Sequence, residues 1–218
     1  MHIMSNCKTA LTQGRYSWRH DSVLKCMEPA LLSHIKSFNE SKLQKTPKKL
    51  IKFVKKGEKG SAVSFPPHHL LSAARDWQCL IDFKDNSYVF PTVICITNLR
   101  PDIVIWSLSL KKVILLELTC PLEENIVQAK ARKSARYLPL LNLIKDSGWT
   151  ATLLLMEAGV RGCLSFSFAQ SLRNLGIAKT VTKQVCKNVE KVVNRCSYII
   201  FNAHRQKIWT WQHLFTIR

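Results

Sequence analysis

The chain has 218 residues, 46% of them hydrophobic, which is enough for one domain with a sizeable core. Lys and Arg number 33 against 14 acidic residues, and a formal net charge of +19 argues against an enzyme of small neutral substrates and indicates a polyanionic partner such as nucleic acid. No apolar run predicts a membrane span, and no N-terminal segment is typical of a signal peptide. Eight cysteines without a CxxC pair indicate reduced thiols and therefore the cytosol or nucleus.

The first third of the chain predicts one helix followed by a basic segment. Helical spacing of apolar residues predicts a helix over 22–38, with Asp21 as its N-cap. The lysine-dense segment 41–60 predicts a mobile basic loop, interpreted either as a solvated charge run or as a phosphate-binding element. Its candidate phosphate-binding residues are Lys48, Lys49, Lys52, Lys55 and Lys56.

The sheet is predicted to begin at Trp77, where β-branched and aromatic runs alternate with turn residues. The predicted strands are WQCLIDF, YVFPTVICITNL, DIVIWSL, KKVILLELTC and WTATLLLM, with a closing strand YIIF at 198–201. Helices are predicted over 123–145, limited near Pro139, over 166–175, and over 181–196. The last helix carries a buried stripe of Val181, Val185, Val189 and Val192, with lysines facing elsewhere. This order of elements predicts a mixed α/β architecture.

Two acidic residues, Asp102 and Glu117, stand at the ends of two apolar runs. The SLSLKK link is too short for a crossover, so these strands must be antiparallel. If the turn is centred between Ser109 and Leu110, residues whose numbers sum to 219 face each other, and Asp102 lies opposite Glu117. Opposed Cβ atoms are about 4.5–5.5 Å apart, close enough for both carboxylates to bind one divalent cation. A charge inside so apolar a strand is costly unless it is paired, so the alternatives are a metal site and a salt bridge to a lysine or arginine.

The helix that follows carries further candidates. Glu123 and Glu124 suit a first helical turn, where acidic side chains complement the helix dipole. Lys130, Lys133 and Tyr137 are spaced three and four residues apart and therefore share one face, from which a lysine can reach back to the strand end.

These residues together resemble a known family. RPD at 100–102, ELT at 117–119, PLE at 121–123 and KSARY at 133–137 resemble the C-terminal restriction-like endonuclease domain of early-branching, site-specific-type non-LTR retrotransposon reverse transcriptase proteins, a branch of the PD-(D/E)XK superfamily. GRYSWRHDSVL at 14–24, DW at 76–77, FP at 90–91, GW at 148–149 and EAGVRG at 157–162 extend the resemblance over roughly 14–177.

The resemblance implies a restriction-endonuclease-like mixed β-sheet flanked by helices, and a DNA endonuclease that nicks target DNA to prime reverse transcription. It implies Asp102 and Glu117 as catalytic ligands of Mg²⁺ or Mn²⁺. Thr119 stands where the superfamily often has lysine, so the catalytic lysine is mapped to Lys133, with Lys130 and Tyr137 as fallbacks. DNA contacts are expected from Arg19, His20, Arg100 and Arg136, and from the lysines of the 181–196 helix. The other interpretation of Arg19 and His20 is a surface pair beside the Asp21 cap.

The resemblance also shapes the expected domains and partners. His2 and Cys7 resemble the second half of the family's zinc knuckle, so 1–13 is interpreted as the remnant of a truncated knuckle, no zinc is expected, and 14–218 is the nuclease domain. The expected partner is double-stranded DNA, with element RNA as a further candidate and without a membrane or small-molecule substrate, in the nucleus after cytoplasmic synthesis. One rival interpretation is a catalytically inactive, degenerate or host-recruited nucleic-acid-binding module. A second, a ribosomal or RNA-packaging protein, explains the charge but not the two acids.

Overall fold

The computed structural model describes residues 2–41, 69–71, 73–85, 87–206 and 209. Their helices are α1 (His2–Ser5), α2 (Lys8–Thr12), α3 (Arg15–Glu40), α4 (Ile126–Asp146), α5 (Phe166–Asn174) and α6 (Lys179–Asn202), with 3₁₀ turns at Glu123–Asn125 and Ala203–Arg205. Their strands are β1 (Trp77–Ile81), β2 (Ile103–Ser107), β3 (Lys112–Thr119) and β4 (Thr150–Glu157). The predicted α/β class, a mixed sheet flanked by helices, is confirmed.

The sheet has the order β1-β2-β3-β4. Strands β1 and β2, and β2 and β3, pair antiparallel, whereas β3 and β4 pair parallel and are connected through α4. Ile103 faces Leu116 and Ser107 faces Lys112, so the predicted register, in which facing residues sum to 219, is confirmed. The central position of β3 explains its apolar sequence, because its residues are buried on both faces of the sheet.

The two faces of the sheet form two cores. Helix α4 covers one face, where Val104 and Leu115 pack with Tyr137 and other α4 residues. Helices α3, α5 and α6 cover the other face, around Ile105 and Leu116. Because alternate residues of a strand point to opposite faces, Asp102 and Glu117 share the side of Val104 and Leu115, which is the α4 side.

Two helix predictions need correction. Helix α3 begins at Arg15, after Gly14 in a left-handed conformation at φ 70°, so Asp21 lies inside the helix and is not its N-cap. Helix α4 continues past Pro139 to Asp146. Its continuation buries Leu140 and Ile144 against the sheet, which offsets the backbone hydrogen bond that proline removes.

Two strand predictions are also wrong. The YVFPTVICITNL run at 88–99 forms no strand, and its apolar residues Phe90 and Ile94 instead pack as irregular chain into the α4-side core. The YIIF segment continues α6 as helix, because Ile200 extends the buried face that includes Val189 and Val193. In the same helix Val181 is exposed, and Thr182 is buried beside Val185.

The predicted basic loop at 41–60 lies outside the described residues except for Ser41. The zinc-knuckle interpretation of 1–13 stays a prediction. There α1 packs against α6, α2 packs against α3, and the Cys7 N–H donates to the Tyr16 hydroxyl at 3.0 Å. Among the helices within the described residues, none has the length and apolar character needed to cross a membrane.

Candidate active site

Asp102 and Glu117 meet at one edge of the sheet, where β2 begins and β3 ends. The Asp102 N–H donates to Glu117 Oε2 at 3.3 Å, and the Leu118 N–H donates to Asp102 Oδ2 at 2.6 Å. Each carboxylate therefore accepts a hydrogen bond from the backbone of the opposite strand. These bonds extend the antiparallel pairing beyond Ile103 and hold the two acids together.

Helix α4 supplies the partner of Glu117. The ammonium of Lys133 forms an ion pair with Glu117 Oε1, so the predicted salt bridge is present. One turn further along α4, the buried Tyr137 hydroxyl donates to the carbonyl of Arg100 at 3.1 Å. Burial raises the pKa of Glu117 and the charge of Asp102 raises it further, while Lys133 and Tyr137 oppose this rise. Burial and the nearby Glu117 carboxylate raise the pKa of Tyr137.

Helix α3 brings a histidine to the same edge. His20 Nε2 lies 3.1 Å from Asp102 Oδ2, and His20 Nδ1 lies 3.1 Å from Asp21 Oδ1. Burial lowers the pKa of His20, but its bonds to Asp102 and Asp21 outweigh burial and hold that pKa well above 6.5. His20 therefore lies between two carboxylates that favour its protonated form. The helical spacing of α3 gave no sign of this contact.

A cavity of about 700 Å³ opens at this edge of the sheet. Asp102, His20, Thr119 and Lys133 line it, and Glu117 is buried, 1% exposed, and joined to the cavity through its ion pair with Lys133. Other charged residues on its walls are Arg19, Asp21, Asp82, Lys84, Arg100 and Arg132. The described part of this wall therefore carries more cationic than acidic side chains, a composition that favours an anionic ligand.

The other predicted site residues have separate positions. Arg19 is 1% exposed and donates to the Cys120 carbonyl at 3.2 Å and to Ser197 Oγ at 3.2 Å. The expected surface position of Arg19 is therefore wrong, because its guanidinium ties α3 to α6 and to the end of β3. Lys130 is exposed on α4 and does not pair with a described acid.

The remaining predicted DNA contacts fall into two groups. Arg100 is half exposed with its Nε 3.7 Å from Asp82 Oδ2, and Arg136 is exposed with its guanidinium 5.9 Å from the centre of the Tyr137 ring. Arg100 lines the cavity, whereas Arg136 is not among its described lining residues. The five lysines predicted in the basic loop, Lys48, Lys49, Lys52, Lys55 and Lys56, lie outside the described residues.

The carboxylate pair fits magnesium by its chemistry. Mg²⁺ prefers oxygen ligands, keeps several waters, and commonly binds through one or two carboxylates. Within the described part of the chain, no three His, Cys, Asp or Glu side chains converge as a metal cluster, so Asp102 and Glu117 would provide both protein ligands. Lys133 occupies one oxygen of Glu117, so a metal ion would have to share this carboxylate with the ammonium or displace it.

The EAGVRG motif at 157–162 has a structural explanation that the sequence did not indicate. Glu157, at the end of β4, is buried and accepts from the hydroxyls of Ser165 and Ser167, each at 2.6 Å. A Cβ atom on Gly159 would lie 2.5 Å from the Glu123 carboxylate. Only a glycine therefore allows Glu123 this close approach to the β4 end.

Glu123 and Glu124 have a more specific role than dipole complementation. They lie in the 3₁₀ turn before α4 and form ion pairs with Arg161 at 2.8 and 2.6 Å. These pairs connect the start of α4 to the loop after β4. They thereby help to fix the helix that carries Lys133.

Comparison with protein-family models gives no match for this chain, and comparison with curated proteins gives none either. The fold and the site define a mixed α/β domain with a carboxylate pair and a lysine at a sheet edge, beside a cavity rich in cations. The resemblance to restriction-like endonucleases therefore rests on the sequence motifs.

Proposed function

We propose that this chain is a Mg²⁺-dependent DNA endonuclease domain of a non-LTR retrotransposon, which nicks target DNA in the nucleus to prime reverse transcription. The observation that carries the proposal is the pairing of Asp102 with Glu117, and of Glu117 with Lys133, beside the cationic cavity. A restriction-endonuclease-like arrangement of the sheet belongs to the same proposal.

The residues would divide the chemistry among them. Asp102 and Glu117 would hold Mg²⁺, which when bound polarises a phosphate ester and lowers the pKa of a bound water. Lys133, once released from Glu117, would place its ammonium against the negative charge that develops on the phosphate. His20 would orient Asp102 through its hydrogen bond to Oδ2. Arg100 and Arg132 on the cavity wall would attract the DNA backbone.

A specific observation favours the second candidate, a nucleic-acid-binding module without catalysis. Both oxygens of Glu117 already have protein partners, Lys133 and the Asp102 N–H. In addition, Thr119 occupies the position where the superfamily often has lysine. Such a site keeps its fold and its cationic surface whether or not it binds a metal.

Plasmid nicking separates the two candidates. The wild-type chain is incubated with supercoiled plasmid and Mg²⁺, beside an Asp102→Asn variant and a control, Asp146→Asn, which changes an exposed acid at the end of α4. We expect the wild type and the control to nick the plasmid, Asp102→Asn to leave it supercoiled, and EDTA to stop the reaction. All three chains should retain DNA equally on a filter. If all three chains retain DNA equally and none nicks the plasmid, the nuclease proposal fails and the binding module is supported.

A further inference from the structure

Helix α6 presents a row of cations to solvent. Lys183, Lys187 and Lys191 follow one another at intervals of four residues, which places them about 6 Å apart along the helix axis. All three are exposed, and none forms an ion pair with a described residue. Arg195 extends the row by one more step, and Tyr198, 69% exposed, follows on the same side of the helix. These charges are available to an external anion.

An apolar groove lies between α3 and α6 beside Lys191 and Arg195, whereas Lys183 and Lys187 line a separate cavity between α5 and α6, together with Glu190. The groove has a volume of about 530 Å³, and Trp18, Val192 and Ile199 contribute apolar surface to it. Lys25 from α3, and Lys191 and Arg195 from α6, also line it, and no acidic side chain is among its described lining residues. Cations therefore flank an apolar surface that contains an indole ring.

We propose that this groove binds a single strand of nucleic acid. The phosphates would follow the row from Lys183 to Arg195, and unpaired bases would pack against Trp18 and Ile199. Proteins bind single strands by this combination, a cationic track for the backbone and aromatic surfaces for the bases. A duplex stacks its base faces inside the helix, so it could use the lysines but would leave the apolar groove empty. The charge on both sides of the groove favours this polyanion over an apolar peptide.

The inference deepens the proposed function and rests on it only for the origin of the strand. A nick in a duplex frees a strand end, and α6 passes close to the cavity because the Arg19 side chain, which lines the cavity, bonds to Ser197 Oγ at 3.2 Å. Lys183 lies fourteen residues before Ser197, so the row extends about 20 Å along α6 from that point. The groove would hold a strand that leads away from the nicking site.

Binding is measured by fluorescence anisotropy on the full chain in EDTA, with a labelled oligothymidylate and a labelled hairpin duplex of equal length. The double variant Lys187→Gln/Lys191→Gln tests the row, and its control, Lys36→Gln/Lys145→Gln, removes two exposed charges from α3 and α4. Each phosphate contact to a single strand contributes about 0.7 to the slope of log K against log salt. We therefore expect the double variant to lower the oligothymidylate slope by about 1.4 and the control to leave it unchanged.

Trp18→Leu tests the groove. We expect it to weaken oligothymidylate binding about fivefold or more, from the loss of one base–aromatic contact, and to leave duplex binding unchanged. Trp18 also packs edge-on against Trp209 at 5.5 Å, so Ile199→Gln provides a second groove variant, and circular dichroism checks the fold of both.

Several outcomes would overturn the inference. Equal weakening of single-strand and duplex binding by the groove variants would mean that α6 holds a duplex. Unchanged oligothymidylate binding in all variants would leave the groove to another occupant, such as a second copy detected by sedimentation or the chain's own 210–218 segment. Binding is measured in EDTA, where cleavage cannot occur, so this inference and the proposed function are tested separately. If the chain binds the single strand but never nicks plasmid, the proposed function fails and this inference stands.

Discussion

The ion pair between Lys133 and Glu117 gives a buried carboxylate its cationic partner, and Lys133→Met tests how much this pair contributes to stability. The substitution keeps the length of the side chain and removes its charge. Removing one partner of a buried ion pair costs about 3–5 kcal/mol, because the other charge remains buried and unpaired. Glu117 is 1% exposed, but the Lys133 side chain is 23% exposed and partly screened by water. We therefore expect the free energy of unfolding to fall by about 2 kcal/mol at about pH 8.

The pH dependence of this loss identifies its cause. An acid whose pKa is raised in the folded state, as that of Glu117 is, binds its proton more tightly in the folded than in the unfolded chain. Its contribution to stability is therefore most favourable below the ordinary pKa and declines as the pH rises through the folded value. Without Lys133 the pKa of Glu117 rises further, so the destabilisation should be largest at about pH 8 and smaller at about pH 5.

Urea unfolding followed by tryptophan fluorescence at both pH values measures the effect. Lys130→Met is the matched control, because Lys130 lies one turn earlier on α4, is exposed, and does not pair with a described acid. The ion pair contributes no stability if Lys133→Met and Lys130→Met unfold at the same urea concentration. Glu117 is not the cause of the loss if Lys133→Met loses the same stability at both pH values.

Three further substitutions test other parts of the structure. His20→Gln removes a histidine whose pKa is raised in the folded state. The stability that this histidine contributes is present below about pH 6.5 and is lost as the pH rises through the folded value. Thermal unfolding should therefore show that the variant loses about 1 kcal/mol or more at about pH 6 and less at alkaline pH, and a loss that is the same at every pH would contradict this. Gly162 and Gly148 both have left-handed backbone, but an asparagine of α6 would crowd a Cβ atom on Gly162, whereas the space beside Gly148 is open. Gly162→Ala should therefore cost more than the roughly 1–2 kcal/mol of a left-handed alanine, and Gly148→Ala should show that backbone strain alone. Equal denaturation midpoints for the two variants would exclude crowding. Ser165→Ala removes both the N-cap of α5 and a hydrogen bond to the buried glutamate of β4, and it should lower the free energy of unfolding in urea by about 2 kcal/mol. Ser167→Ala removes only a hydrogen bond to the same glutamate and should cost about 1 kcal/mol. Equal losses would exclude a contribution from the cap.

The strand pairing at the site was predictable because local rules are enough to define it. A link too short for a crossover requires an antiparallel pair, and a turn centred between Ser109 and Leu110 sets which residues face each other. The alternation of side chains along each strand then places Asp102 and Glu117 on one face. The spacing of Lys133 and Tyr137 on one helical face was also readable, and in the structure that face covers Glu117.

The wrong strand predictions fall where the propensity of the residues favours a strand but their packing in the fold favours another structure. The β-branched and aromatic residues at 88–99 and 198–201 favour strands by propensity, but strand propensity largely measures how side chains fit a half-buried surface. In this protein the first segment contributes Phe90 and Ile94 to the α4-side core as irregular chain, and the second contributes Ile200 to the buried face of α6. The position of each segment against the rest of the fold therefore outweighed its composition.

Local sequence was sufficient for the class of fold, the register of the acidic pair and the helix face that approaches it, because these depend on backbone periodicity and on one short link. The contacts of His20 with Asp102, of Arg19 with Ser197 and of Glu157 with Ser165 join residues from separate elements of the fold. No periodicity relates such residues, and packing of helices against the two faces of the sheet brings them together. The charge environment of the site, and the groove beside α6, exist only because of that packing.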